Sequence, residues 1–127
     1  MKELLYIFVG GGIGSVFRYI VSMIWKHITL HPDYQDILFP WPTFLVNVLG
    51  CFIIGLFYHC SERWGLSPEM RLLLTTGLCG GFTTFSTFSY EGISLLTSGH
   101  YIVYGVYLFL SILFGLLAVL TPIYLIR

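Results

Sequence analysis

Four long apolar runs leave this chain few ways to fold. Leu4 to Trp25, Thr43 to Cys60, Met70 to Thr97 and Tyr101 to Ile126 each meet the roughly 18 to 20 residues that a helix needs to cross ~30 Å of hydrocarbon. The loops between them are short and leave no room for a soluble domain. Of 127 residues, 57% are hydrophobic and only 9% are charged, with a mean hydropathy of +0.86. Such a chain cannot cover a soluble globule with polar surface. The expected fold is an all-α integral membrane protein, one domain over residues 1–127 with four transmembrane helices.

Met1-Lys2 before an apolar run imitates a signal peptide. Arg18 interrupts that run and no Ala-x-Ala-like site follows, so an uncleaved first span is expected. Six Lys and Arg balance six Asp and Glu. The chain therefore offers neither the basic face that nucleic acid requires nor a cluster for anionic lipid. Cys51, Cys60 and Cys79 form no C-x-x-C pair and read as small buried thiols. His27, His31, His59 and His100 fall at or near span ends without ligand spacing and read as interfacial side chains.

The first loop, "KHITLHPDYQDILFPWP", is bracketed by Trp25 and Trp41, which suit the aromatic belts of a membrane interface, and is expected to lie along the surface. In the second, Ser67 precedes Pro68 and Glu69, an N-cap followed by Pro at the first helical position. The third, "TSGH", makes spans three and four antiparallel neighbours. Lys2, Arg63, Arg71 and Arg127 flank one side, and Lys26 with Arg18 the other, a slight bias towards cytoplasmic termini. Small residues recur four apart at Gly10/Gly14, Gly11/Ser15, Cys51/Gly55, Gly77/Gly81 and Ser111/Gly115. Such pairs let helices approach closely in lipid and suggest association. "GGGIGS" lacks both the register and the preceding strand of a phosphate-binding loop.

Polar side chains inside a span are costly, and each is a functional candidate. Arg18 can snorkel to the interface or draw anions into a mouth. Asn47 lies one turn past Thr43, on one helix face; its amide suits helix-helix contact or donation to a passing anion. In span three a continuous helix would put Phe82, Phe85 and Phe88 on one stripe, Thr83, Ser86 and Ser89 on the next, and Thr84 and Thr87 beyond. Rings beside hydroxyls form either a solute rail or lipid-facing packing with each hydroxyl bonded one turn back. Gly80-Gly81 should break this helix near its middle, with Thr83 and Thr84 in an irregular turn whose carbonyls suit a cation. Glu91, the only acid within a predicted span, reads as a proton-coupling group, a mouth residue or a solvated end. These features point to a pathway for an ion or small polar solute along span three.

The stretches "GGGIGSVFRY", "TFLVNVLGCFIIG" and "TTGLCGGFTTFSTFSYE" resemble one family, the small fluoride channels called Fluc or CrcB, and the resemblance covers nearly the whole chain. It implies a dual-topology antiparallel homodimer in the inner or plasma membrane, with fluoride pores and a central structural Na+ held by span-three backbone carbonyls. By motif, the pore-facing rings are Phe85 and Phe88, and the polar track is Ser86, Thr87 and Ser89. The span-two Asn and Thr are Asn47 and Thr43, the vestibule Arg is Arg18, and the sodium-binding carbonyls are Gly80 and Thr83. Tyr104, Tyr107 and Ser111 share a face of span four and are carried as pathway residues. Where the family usually has Gly before the span-two Thr, this chain has Pro42.

The chemistry suits an anion. Ring edges carry partial positive charge, hydroxyls and an amide donate hydrogen bonds, and weak multi-site binding is what conduction needs. The implied role is passive fluoride export without covalent chemistry. The alternative, a small dual-topology proton-coupled multidrug exporter, needs a buried carboxylate in the first span, where this chain has none after Glu3. A purely structural membrane subunit would leave the hydroxyl rail unexplained.

Overall fold

A computed structural model of the chain describes residues 1–29 and 38–126. The middle of the first loop, including His31, and Arg127 lie outside the described residues. Three helices are long and apolar enough to cross a membrane: α1 (Lys2–Thr29), α2 (Trp41–Trp64) and α6 (Tyr101–Leu125). No strand occurs among the described residues.

The region expected as one continuous span from 70 to 97 is in pieces. Ser67 caps α3 (Pro68–Leu72), its Oγ accepting from the Met70 amide at 3.2 Å, as the Ser-Pro-Glu signal predicts. The chain then widens into a π-helical segment, Leu73–Cys79, and closes again in α4 (Gly80–Phe82). Thr83 and Thr84 are fully extended, at φ −83° ψ 158° and φ −149° ψ 117°. Helix resumes in α5 (Phe85–Thr97). The break falls just after the Gly-Gly pair, but as two extended residues and not as a turn. The π-helical segment has no sequence signal; such widening is common at functional sites.

The small residues explain how the pieces stack. α1 lies along the π-helical segment and α4, and α2 along α6. A Cβ on Gly10 would collide with the Leu73 carbonyl, one on Gly14 with the Leu78 carbonyl, and one on Gly81 with the Gly11 carbonyl. Gly55 meets the Val119 backbone in the same way. These faces, expected to promote association, are consumed by packing within the chain, where backbone approach must replace the hydrophobic effect in lipid. Gly80 has open space beside it.

The small buried cluster sits where α2, α5 and α6 meet: Phe44, Leu95 and the fully buried Tyr107, with Phe39, Phe88 and Tyr104 against it. Phe39 meets Tyr107 edge-on at 5.3 Å, and Phe44 meets Phe39 likewise at 5.4 Å. Trp25 and Trp41 lie 6.3 Å apart, joining the ends of α1 and α2 at one level.

Candidate functional site

The break in the helix needs partners for its backbone, and Asn47 supplies them. From α2 its Nδ2 donates to the Thr84 carbonyl at 3.1 Å, while its Oδ1 accepts from the Thr84 amide at 2.8 Å. The side chain thus replaces a neighbouring peptide. Of the two readings open for Asn47, the geometry gives the helix-to-helix contact.

This clasp changes the accounting around it. In an unbroken helix the Thr84 amide would close onto the Gly80 carbonyl, and the Thr87 amide onto Thr83. Instead the Thr84 amide goes to Asn47, and the Thr87 amide goes to Thr84 Oγ1 at 3.2 Å, capping α5. The Gly80 and Thr83 carbonyls, the two expected to hold a cation, thereby lose their ordinary helical donors. Thr83 turns its own hydroxyl back to the Cys79 carbonyl at 2.9 Å. The donor set fits a cation that accepts backbone oxygens.

Extended backbone also re-sorts the expected stripes. Phe82 ends α4 and is buried, so it does not share a face with Phe85 and Phe88. The stripe assumed a helical repeat that two extended residues interrupt. On α5, Phe85 is 79% exposed and Ser86 and Ser89 are exposed with it, while Thr87 and Phe88 turn inward. The Phe85 and Phe88 rings lie 5.9 Å apart, and Phe88 lies 4.9 Å from the Tyr107 ring. Thr84 Oγ1 donates to Thr87 Oγ1 at 3.1 Å and lies 3.3 Å from Ser86 Oγ, a short chain of hydroxyls at the break.

One turn further along, three helices converge on Glu91. Thr43 Oγ1 donates to one carboxylate oxygen at 2.7 Å, and Tyr107 OH to the other at 3.0 Å. A carboxylate at membrane depth is tolerable because both oxygens are met. Pro42 at the start of α2 does not keep Thr43 from this contact. Tyr104, expected in the same line, lies against Gly92. The Ser111 hydroxyl is buried without a partner among the described residues, as is Arg18 Nε on α1. The structure thus joins Asn47, Thr87, Phe88, Thr43, Glu91 and Tyr107 in one inward region and leaves Arg18 outside these contacts.

A cleft of about 490 Å³ opens between α2 and the broken helix, lined among others by Asn47, Thr76, Gly80, Thr83, Thr84 and Phe85. One role and one participant are absent from the sequence-based expectations. Thr84, expected in the irregular turn, is also the cap of α5 and the hub of the break; its place three residues before Thr87 is a capping spacing that a continuous helix hides. Phe39 packs on Tyr107 from outside any predicted span and has no sequence signal.

A bundle of apolar helices, with polar side chains drawn to one broken segment, defines a multi-pass membrane protein of the solute-pathway type. The family model described as CrcB-like protein, Camphor Resistance (CrcB), matches residues 5–123, and the chain belongs to this family. Among its relatives, a Bacteroides fragilis protein named fluoride-specific ion channel FluC is 54% identical over 125 residues, covering 98% of this chain and 96% of that protein. Proteins of the same name from Phocaeicola vulgatus and Flavobacterium psychrophilum are 48% and 43% identical. They cover 98% and 95% of this chain, and 98% and 94% of their own lengths.

Proposed function

We propose that the chain is a fluoride-specific channel of the cell membrane that lets fluoride leave the cell passively. The observation that carries this reading is the joined line of aromatic rings and hydroxyls from Phe85 and Phe88 to Thr43, Glu91 and Tyr107. The names of relatives that match almost the whole chain support it. Fluoride needs its water replaced by several weak donors; this line offers aromatic rings, and the Thr43 and Tyr107 hydroxyls serve the ion by turning from Glu91 to it. Ser86 and Ser89 extend the track on the exposed face of α5, and Arg18 attracts anions towards it. The exporter alternative draws no support from these relatives.

The working unit is an antiparallel homodimer in which the broken segment from Pro68 to Thr97, third in chain order, crosses the membrane beside α1, α2 and α6. Polar groups facing the open cleft, Thr76 and Thr83 among them, cannot be left to lipid. A second copy covers them and supplies the matching half of a central site, where the Gly80 and Thr83 carbonyls of both copies hold a structural Na+. The sodium ion is a static bridge and takes no part in conduction.

Fluoride efflux from liposomes loaded with potassium fluoride, started by a potassium ionophore, tests both points. Electrogenic release, lost after exhaustive sodium removal and restored by adding sodium, is the expected result. Release that requires a proton gradient would overturn the channel, and sodium-independent release would overturn the central ion.

A further inference from the structure

At the turn between α5 and α6 a recess of about 270 Å³ holds a histidine that the line of rings and hydroxyls does not use. Glu91, Ser94, Ser98 and His100 line it, together with Leu38 and Pro40. The turn is fixed: Gly99 takes φ +82°, and the His100 amide donates to the Leu95 carbonyl at 2.9 Å. His100 Nδ1 is buried without a hydrogen-bond partner among the described residues. An unpaired buried ring nitrogen is costly unless something in the recess pairs with it.

Glu91 belongs to both regions. Its oxygens accept from Thr43 and Tyr107, and the same residue lines the recess. The recess is therefore joined to the inward hydroxyl line through a single carboxylate. Among its described lining residues, Glu91 from α5 and His100 before α6 are the acidic and the basic side chain; Leu38, Pro40, Leu95 and the two serines carry no charge. On α6, Tyr104 lies against Gly92 and Tyr107 donates to Glu91. Lys26 and His27 of α1 line a different recess with Ile20 and Met23.

We propose that this recess is a mouth of the anion pathway and that His100 sets its charge. The inference rests on the fluoride-channel reading. A carboxylate alone at a mouth repels fluoride. A protonated imidazole sharing the recess offsets that charge and offers an N–H to the ion, whereas a neutral one leaves Glu91 uncompensated. Imidazole is the side chain whose charge ordinarily changes between about pH 5 and 8, so fluoride passage follows the charge of His100.

The test is fluoride current across planar bilayers at symmetric pH, about 6 against about 8. Current excludes neutral HF, which crosses lipid without carrying charge. The wild-type current should fall several-fold between the two conditions. His100→Gln should be low at both, and His100→Lys high at both, with all three proteins purifying alike. A His100→Gln current that keeps the wild-type pH profile, or a wild-type current that does not change with pH, overturns the proposal while leaving the channel reading intact. No fluoride current from the wild type under any condition sinks the channel reading and this inference with it.

Discussion

Phe85 and Phe88 are one helical turn apart but occupy different surroundings. Phe85 is almost fully exposed, whereas Phe88 rests on the Tyr107 ring at 4.9 Å. Replacing either with Ile keeps apolar bulk and removes the quadrupole whose edge can face an anion. Phe85→Ile should leave stability unchanged, and Phe88→Ile should cost about 1 kcal/mol through the lost ring pair. Both should sharply lower fluoride flux in the liposome assay. Phe82, buried at the end of α4 and away from those rings, is the control: its Ile variant should lose stability and keep most of its flux per folded protein. Equal, mild losses of flux at all three positions would reduce the rings to packing. The single-residue chemistry was legible in advance because a lone Asn, a lone Glu and a run of hydroxyls stand out against hydrocarbon. Their partners were not. Asn47 meets Thr84 across 37 positions and Thr43 meets Glu91 across 48, distances over which periodicity carries no information.

At the scale of elements, the broken helix depends on α2. Hydropathy places α1, α2 and α6 to within a few residues, since apolar length is a local property. The Ser67 cap and the weak point at Gly80-Gly81 are local too. The π-helical widening lies where the glycines of α1 let its backbone press against Leu73 and Leu78, and no repeat within the segment records it. The extended pair at Thr83 and Thr84 exists because a side chain 37 positions away takes over its hydrogen bonds. Asn47→Leu should then leave the Thr84 amide unmet, at about 1 to 3 kcal/mol if nothing else pairs it, while the Thr84 carbonyl keeps its place as the N-cap acceptor of α5; the melting temperature of the purified protein should fall. Asn47→Asp keeps the acceptor for the Thr84 amide and loses the donor to its carbonyl, so its melting temperature should fall between the two. Flux should follow the same order, because α5 begins at the clasp. A normal melting temperature with abolished flux in Asn47→Leu would instead make the amide a direct ligand of the ion.

For the whole molecule the question is what covers the exposed polar strip along the break. The small-residue faces cannot answer it, because most of them are spent on contacts within the chain. What stays open is the cleft with Thr76, Gly80 and Thr83 on its wall, and hydrocarbon cannot satisfy the hydroxyls and carbonyls there. A second copy in the opposite orientation would bring the same groups to face them, and a margin of four Lys and Arg on one side against two on the other gives insertion only a weak reason to prefer one direction. The expected outcome is measured with a single reporter. In a background with Cys51, Cys60 and Cys79 replaced by Ala, Glu62→Cys puts one thiol on an exposed position near the end of α2. A membrane-impermeant thiol reagent should label about half the protein in intact cells and the remainder only after permeabilisation, since oppositely inserted copies would be present in equal number. Adding two or three Lys beside Met1 should force one orientation by strengthening the charge bias. It should also abolish both the second labelled population and fluoride flux, with flux returning on co-expression of a variant biased the other way. Labelling from one side alone, with full flux, would leave the cleft to be covered by copies inserted in parallel.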